Sequence, residues 1–336
     1  MMYALLGLCL ALATLLTVNA LAALVVAGLW RGLLARWTRA WSAHARAQLL
    51  FALRLAPFAL ALLFVAALIV PSYLRYEPEA TVEAVSLKLA ALAAISIIGL
   101  ALALWRGLIA WRTTRRLVAD WLRHAEPITL PGVALPAFRV AHKFPVIAVV
   151  GALRPRLFVA QQLFDALSPV ELSAALAHER GHLAARDNLK RTLLRACRDV
   201  LMIVPAGRTL DRAWAESVEA AADEHAAQTG DDATALDLAS ALIKIARLIP
   251  TGAQPTMPAG AFLIRELADG NLAWRVERLA QLAGAQTNRR ARARTFGVSF
   301  WACACVLLLA ASFIAADARL LALTHTALEY IVRVLR

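Results

Sequence analysis

Residues 168–182 read SPVELSAALAHERGH, and this stretch decides how the central part of the chain folds. The Ser-Pro-x-Glu start at 168–171 predicts the first turn of a helix, because serine caps the turn, proline suits its first position and glutamate completes a capping box. His178 and His182 then stand four residues apart. On a helix both imidazoles lie on one face, about 6 Å apart along the axis.

Two imidazoles in this arrangement can bind one metal ion, and the residues form an HExxH pattern, His178-Glu179-Arg180-Gly181-His182. Zinc suits such a site, since it takes imidazole and carboxylate ligands and keeps one position for water. Glu179 lies about 100° around the helix, within reach of that water as a general base. The alternative is a surface helix with two solvated histidines.

A catalytic zinc site needs a third protein ligand, and residues 216–225 (ESVEAAADEH) supply candidates on a later helix. Glu219 and Asp223 share a helix face, so one can bind the metal while the other orients a ligand. Glu216 and His225 are rival ligands, and a solvated acidic face is the alternative interpretation. Asp187 and Asn188 either hold the end of the HExxH helix or cap the next helix.

The surrounding segment, 113–290, predicts one compact α+β domain with its strands segregated from its helices. Its start is rich in proline, which favours loops and short strands. The runs 146–150 and 156–159 favour a hairpin, because Gly151 and Pro155 separate two β-rich stretches. Beyond the HExxH helix, further helices are expected at 188–204, 208–228, 233–248 and 262–282.

Outside this segment the chain has the composition of an integral membrane protein. Hydrophobic residues make up 61% of the 336 residues and charged residues 18%, and the mean hydropathy is +0.63. A disordered chain, a collagen and a disulfide scaffold are excluded. Apolar stretches long enough to cross a bilayer lie at 3–30, 55–74, 89–105 and 296–316. We therefore expect four spans, with domains at 1–112, 113–290, 291–316 and 317–336.

The net charge of +13 is concentrated beside these spans. Five arginines without an acid follow span one, five follow span three and four precede span four, whereas glutamates dominate between spans two and three. Because basic short loops stay in the cytoplasm, 113–290 is expected inside and both termini outside. This placement favours binding to the lipid bilayer over binding to nucleic acid. The tail 317–336 favours an amphipathic helix on the membrane surface over a further span.

The stretches GALRPRLFV at 151–159, LSPVEL at 167–172 and AHERGHLAARDNL at 177–189, with the later Glu-x-x-x-Asp, resemble the BlaR/MecR family of membrane zinc metallopeptidases. The resemblance implies a gluzincin-like fold, one zinc ion held by His178, His182 and Glu219, Glu179 as general base and Asp223 in support. It also implies an edge strand near 146–150 that holds an extended substrate.

Gly181 and the stretch WRVERL at 274–279 look more like the HtpX/CAAX-protease type. In that type an arginine equivalent to Arg275 lies by the active site, so Arg275 is a candidate for binding a carboxylate or oxyanion, with a surface salt bridge as its alternative. Because only about 20 residues follow span four, we expect no extracellular sensor domain.

The sequence thus predicts a zinc endopeptidase of the bacterial cytoplasmic (inner) membrane that cleaves a protein substrate at the cytoplasmic face. The expected substrate is membrane-associated or a transcriptional repressor, and the expected role is regulatory proteolysis. The alternatives are quality-control proteolysis and a non-catalytic zinc-binding receptor or scaffold.

Overall fold

The structure is a computed structural model of the whole chain and describes residues 2–78, 85–199, 207–231, 233–249, 272–284 and 296–335. The chain is mostly helical, with one small sheet. The expected helical stretches 200–204 and 262–271, and the arginines at 289–294, lie outside the described residues.

Three long helices precede the sheet: α1 (Met2–Ala40), α2 (Ala43–Tyr76) and α3 (Leu87–Arg123). Each is long and apolar enough to cross a membrane, and each contains one of the first three predicted spans. Large apolar side chains such as Leu21 (64% exposed) and Leu104 (76%) point away from the protein. Lipid is the solvent that tolerates such a surface, so these helices support membrane association.

The helix α3 continues well beyond the expected end of the membrane region at residue 112. It ends at Arg123, and Trp121 near its end is buried in the core of the domain that follows. The Trp121 ring meets that of Phe158 edge-on, with 5.1 Å between the ring centroids. The third apolar helix and the domain are therefore joined by one uninterrupted helix.

Four strands form a single sheet: β1 (Ala125–Ile128), β2 (Ala137–Val140), β3 (Ile147–Val150) and β4 (Arg156–Ala160). Their order is β1-β2-β4-β3. β3 and β4 form the predicted antiparallel hairpin, while β2 pairs with β4 in parallel and with β1 antiparallel. β3 thus lies at an edge of the described sheet, where its outward backbone groups are available to other parts of the molecule.

The domain helices follow the sheet: α4 (Gln161–Ala166), α5 (Pro169–Ala184), α6 (Asp187–Asp199), α7 (Gly207–Thr229), α8 (Thr234–Leu248) and α9 (Leu272–Gly284). The helix α5 carries the HExxH residues and begins with the predicted capping box between Ser168 and Glu171. One apolar core joins the sheet with α5, α7, α8 and α9. The expected α+β arrangement is therefore present, with four strands.

The chain ends in two helices, α10 (Phe296–Ala316) and α11 (Ala318–Leu335). Parts of these two helices, Leu307–Ala316 and Ala318–Val334, are together long and apolar enough for one span, but the chain bends by 80° between them. The described residues therefore contain three helices that can cross a membrane, or four if this bent pair is one span. Leu321 and Leu328 of α11 are buried, and the Ser72 hydroxyl of α2 donates to Leu321 O.

The other end of α2 packs against the domain. Leu50 and Phe51 of α2 share an apolar cluster with Trp214 and Val218 of α7. Polar contacts flank this cluster: Arg54 Nε donates to Asp211 at 2.8 Å, and Ala43 N donates to Glu224 at 3.2 Å. The helix that carries the candidate third ligand is thus held directly by a candidate membrane helix.

Candidate metal centre

The helices α5 and α7 approach closely at a glycine of the HExxH motif. A Cβ atom at Gly181 would lie 3.1 Å from Ala222 Cα and 3.2 Å from His225 Cβ, which is tighter than most real contacts. A residue without a side chain is therefore required if the two helices are to keep this separation. The close approach brings the acidic face of α7 to the two imidazoles of α5.

His178, His182 and Glu219 each offer a ligand atom, and these atoms lie within 4.8 Å of one another. The two Nε2 atoms are 3.2 Å apart. Glu219 Oε2 lies 3.5 Å from His178 Nε2, and Glu219 Oε1 lies 3.5 Å from His182 Nε2. Ligand atoms about 2.0–2.1 Å from a tetrahedral zinc ion are separated by about 3.3–3.4 Å. Among the described residues, these three form the group of histidine, cysteine and acidic side chains that can hold a metal ion. The rivals Glu216 and His225 do not join it.

Each imidazole turns its other nitrogen to a carboxylate. His178 Nδ1 lies 2.9 Å from Asp223 Oδ1, and His182 Nδ1 lies 2.9 Å from Asp187 Oδ2. Such contacts hold the proton on Nδ1 and leave Nε2 for a metal. Asp223, which the sequence predicts to support a ligand, thus lies against His178, and Asp187 lies against His182 at the end of the HExxH helix.

A strained turn brings Asp187 back to the metal-ligand helix. Arg186, between α5 and α6, has φ = 54°, in the left-handed region, which costs a residue with a Cβ about 1–2 kcal/mol. Backbone hydrogen bonds from Ala185 N to Gly181 O and from Arg186 N to Leu183 O close the turn. The chain then reverses, so that Asp187 reaches a histidine only five residues earlier.

Arg275 of α9 lies behind Asp223, at 1% exposure. Its guanidinium binds the Asp223 carboxylate twice, with Nε–Oδ2 at 3.0 Å and Nη2–Oδ1 at 2.6 Å. Nη1 is 3.4 Å from Glu219 Oε2. The carboxylate that Arg275 binds thus belongs to the protein itself. Nothing in the sequence pairs these residues, because they lie 52 positions apart.

Glu179 lies beside the edge strand. Its Oε2 accepts a hydrogen bond of 3.1 Å from Val149 N. The Asn188 amide donates to Val149 O at 2.8 Å and to Gly151 O at 3.3 Å. The consecutive residues Asp187 and Asn188 therefore connect a candidate ligand, His182, to the strand expected to bind substrate.

Burial and charge together shape the pKa values at the site. Burial by itself would lower the pKa of both imidazoles, but Asp223, Asp187 and Glu219 raise it above its usual value. Burial would raise the pKa of Glu219, yet His182 and His178 hold it well below its usual value. The site therefore favours positive charge.

Two further carboxyl groups are perturbed in opposite directions. Burial raises the pKa of Glu179, opposed by His182 and His178. Burial would also raise the pKa of Asp223, but Arg275 and His178 lower it to about 2. Asp223 is thus a permanent anion, whereas Glu179 is a carboxyl group adjusted towards accepting a proton, as a general base requires.

The residues present fit a divalent metal ion. Both Glu219 carboxylate oxygens are buried without a hydrogen-bond donor, which is costly unless a cation satisfies them. Four buried carboxylates surround the two imidazoles, and the guanidinium of Arg275 is a buried positive charge beside them. The carboxylates are those of Glu179, Asp187, Glu219 and Asp223. A bound cation would balance both the unused ligand atoms and the negative charge.

The cluster is of the kind that metallopeptidases use to hold a metal ion, and the chain carries apolar helices that can cross a membrane. A family model described as peptidase family M48 matches residues 147–213, from β3 to the first part of α7. The match supports assignment to M48, a family of metal-dependent peptidases. It ends before Glu219, so it does not bear on the third candidate ligand. No curated protein matches the chain.

Proposed function

We propose that this protein is a membrane-anchored zinc endopeptidase. The observation that carries the proposal is the mutual separation of 3.2–3.5 Å between His178 Nε2, His182 Nε2 and the Glu219 oxygens. A set of two imidazoles and one carboxylate with a further position for water is typical of catalytic zinc sites. The match to M48 supports the same activity.

Glu179 serves as the general base in this proposal. Its Oε2 is held by Val149 N, so that Oε1 is the atom that takes a proton from the attacking water and passes it to the leaving amine nitrogen. Zinc, when bound, polarises the peptide carbonyl and lowers the pKa of water. Asp223 and Asp187 keep both imidazoles in the ligand-competent tautomer, and Arg275 positions Asp223.

The substrate is proposed to be a polypeptide bound in extended form beside β3. The outward backbone groups of an edge strand pair readily with another strand. Glu179 and Asn188 already occupy Val149 N and Val149 O, so a peptide that paired with this edge at Val149 would displace these two contacts and would lie beside the catalytic carboxylate. A peptide added along this edge would pass the base and the metal ligands.

We further propose four spans, with the peptidase domain at the cytoplasmic face of the bacterial inner membrane. The arginine-rich segments at 31–54 and 106–123 support this orientation. The resemblance to BlaR/MecR supports regulatory cleavage of a repressor or membrane-associated protein, while the HtpX-like features at Gly181 and Arg275 support quality control. A repressor encoded next to this gene would favour the first role, and stress-inducible expression the second.

The test uses full-length protein in nanodiscs and an unfolded polypeptide as substrate. Glu179→Gln is expected to keep about one zinc per chain but to lose cleavage by a factor of about 10²–10⁴, the usual contribution of a general base. Glu219→Ala is expected to lose the metal. Glu216→Gln, one turn earlier on α7, is the control and should change neither. An active Glu179→Gln protein would refute the mechanism, and full zinc content in Glu219→Ala would refute the ligand set.

A further inference from the structure

The height of the metal centre above the membrane can be read from the helices that connect them. The apolar part of α2 begins at Leu55, directly after Arg54. Arg54 is paired with Asp211 near the start of α7. Because Arg54 stands where the apolar stretch begins, Asp211 lies at the membrane boundary.

From this boundary, α7 leads to the metal centre. Its contacts with residues 43–54 of α2 run from the Arg54–Asp211 pair to the hydrogen bond between Ala43 N and Glu224. Glu219 follows Asp211 by eight residues, a rise of about 12 Å at 1.5 Å per residue. Tilting of the helix shortens this height, so about 12 Å is an upper limit.

The helix α6 supplies a second, independent measure. Leu194 is buried in a cluster with Val26 and Trp30, where α1 leaves its apolar stretch, and with Phe51 of α2. Asp187 precedes Leu194 by seven residues, about 10 Å along the helix, and touches His182. Along their axes, both helices therefore connect the metal centre to contacts near the apolar stretches over about 10–12 Å.

A cleft lies beside the metal centre and is lined by His182. It has a volume of about 340 Å³ and is lined by the β3–β4 turn, the end of α5 and the start of α6, including His182, Leu183 and Leu189. Leu153 at the tip of the turn is 85% exposed. The cleft has the size of a small ligand pocket and a largely apolar wall, which suits one or two apolar side chains of an extended peptide.

We propose that the substrate is a polypeptide anchored in the bilayer, cleaved about four residues from the membrane boundary on the side of the peptidase domain. This inference rests on the proposed peptidase function. An extended chain advances about 3.3–3.6 Å per residue, so about four residues cover 12 Å. A metal centre raised well above the membrane would require a much longer tether.

The experiment compares one cleavable sequence in free and anchored form. A bond that the full-length protein cleaves in an unfolded soluble polypeptide is identified by mass spectrometry. The same sequence is then placed about 4, 8 and 16 residues after a transmembrane helix, in proteoliposomes with the protein. Glu179→Gln protein serves as the control for contaminating proteases.

We expect the bond at about four residues to be cleaved within about threefold of the rate at about 16 residues. If the free polypeptide and the longest tether are cleaved while the bond at four residues is cut at least about 30-fold more slowly, the height is wrong and the peptidase function stands. If no form is cleaved, the peptidase function fails, and this inference with it.

A second measurement tests the height without catalysis. A spin label is attached to Ala184→Cys, an exposed position two residues after His182, in a variant whose native cysteines are replaced by alanine. Leu104→Cys, on the apolar surface of α3, is the reference for the membrane. Nickel chelated to lipid headgroups should accelerate relaxation of the Ala184 label strongly. If soluble nickel complexes accelerate relaxation of the Ala184 label but lipid-bound nickel does not, the metal centre lies too far above the membrane and the proposal is overturned.

Discussion

Asp223 and Asp187 offer a matched pair of substitutions that separates metal binding from folding stability. Each places a carboxylate oxygen 2.9 Å from the Nδ1 atom of one candidate zinc ligand. Only Asp223 also binds the guanidinium of Arg275. Asp187 instead lies 3.9 Å from Lys190, which is partly exposed. The two variants Asp223→Asn and Asp187→Asn therefore change the same type of metal support and differ in one buried ion pair.

The structure sets the size of the two effects. Loss of a supporting partner usually lowers metal affinity about 10–100-fold, and we expect this for both variants. Removing one member of a buried ion pair costs about 3–5 kcal/mol, and Asp223 and Arg275 are both almost fully buried. Because Glu219 remains 3.4 Å from Arg275, we expect the lower end, about 3 kcal/mol, for Asp223→Asn. For Asp187→Asn we expect about 1 kcal/mol, the usual worth of one hydrogen bond, because Asp187 is buried but its cationic neighbour Lys190 is partly exposed.

The assay measures the free energy of unfolding of metal-free protein by denaturant in detergent, and zinc affinity by competition with a chelator. Arg275→Met should restore part of the stability of Asp223→Asn, because it removes a buried charge that has lost its bidentate partner. Equal destabilisation by the two aspartate substitutions, with no recovery in the double variant, would refute the reasoning that Asp223 neutralises Arg275. Unchanged zinc affinity in both variants would refute the supporting role of the two carboxylates.

Three further changes have defined outcomes. Gly181→Ala should push α5 from Ala222 and lower zinc affinity at least about 10-fold, although alanine alone favours a helix by about 1 kcal/mol; equal zinc affinity would show that the helices can separate freely. Burial would raise the pKa of Glu171, but Lys244 and other hydrogen-bond donors lower it to about 2. Because this folded-state pKa lies below the unfolded value of about 4.3, stability should fall as the pH drops from about 5 to 2. In denaturant titrations of metal-free protein, Glu171→Gln should lose stability less steeply than wild type in that window, and parallel curves would contradict this. Asn188→Ala should lower kcat/KM about 10-fold with zinc retained, since about 1–1.5 kcal/mol of edge-strand support is lost; full activity would show that the amide does not align the strand.

Local rules predicted much of the fold. The helix start at Ser168 and the hairpin around Gly151 depend on capping and on chain reversal within a few residues, and both are confirmed. The apolar stretches of α1, α2 and α3 follow from composition. The end of α3 differs, because hydropathy detects the boundary of an apolar stretch but not that a polar helix continues to Trp121 and packs into the next domain.

The candidate site divides in the same way. The spacing of His178 and His182 is a property of one helix, so the sequence by itself determined that both imidazoles share a face. Choosing Glu219 over Glu216 and His225 as their partner required the packing of α7 on α5. Only the tertiary structure shows that Asp187 lies against His182 and that Arg275 binds Asp223. Contacts between distant segments depend on how whole helices pack, and no periodicity in one chain segment records the surface that another presents to it.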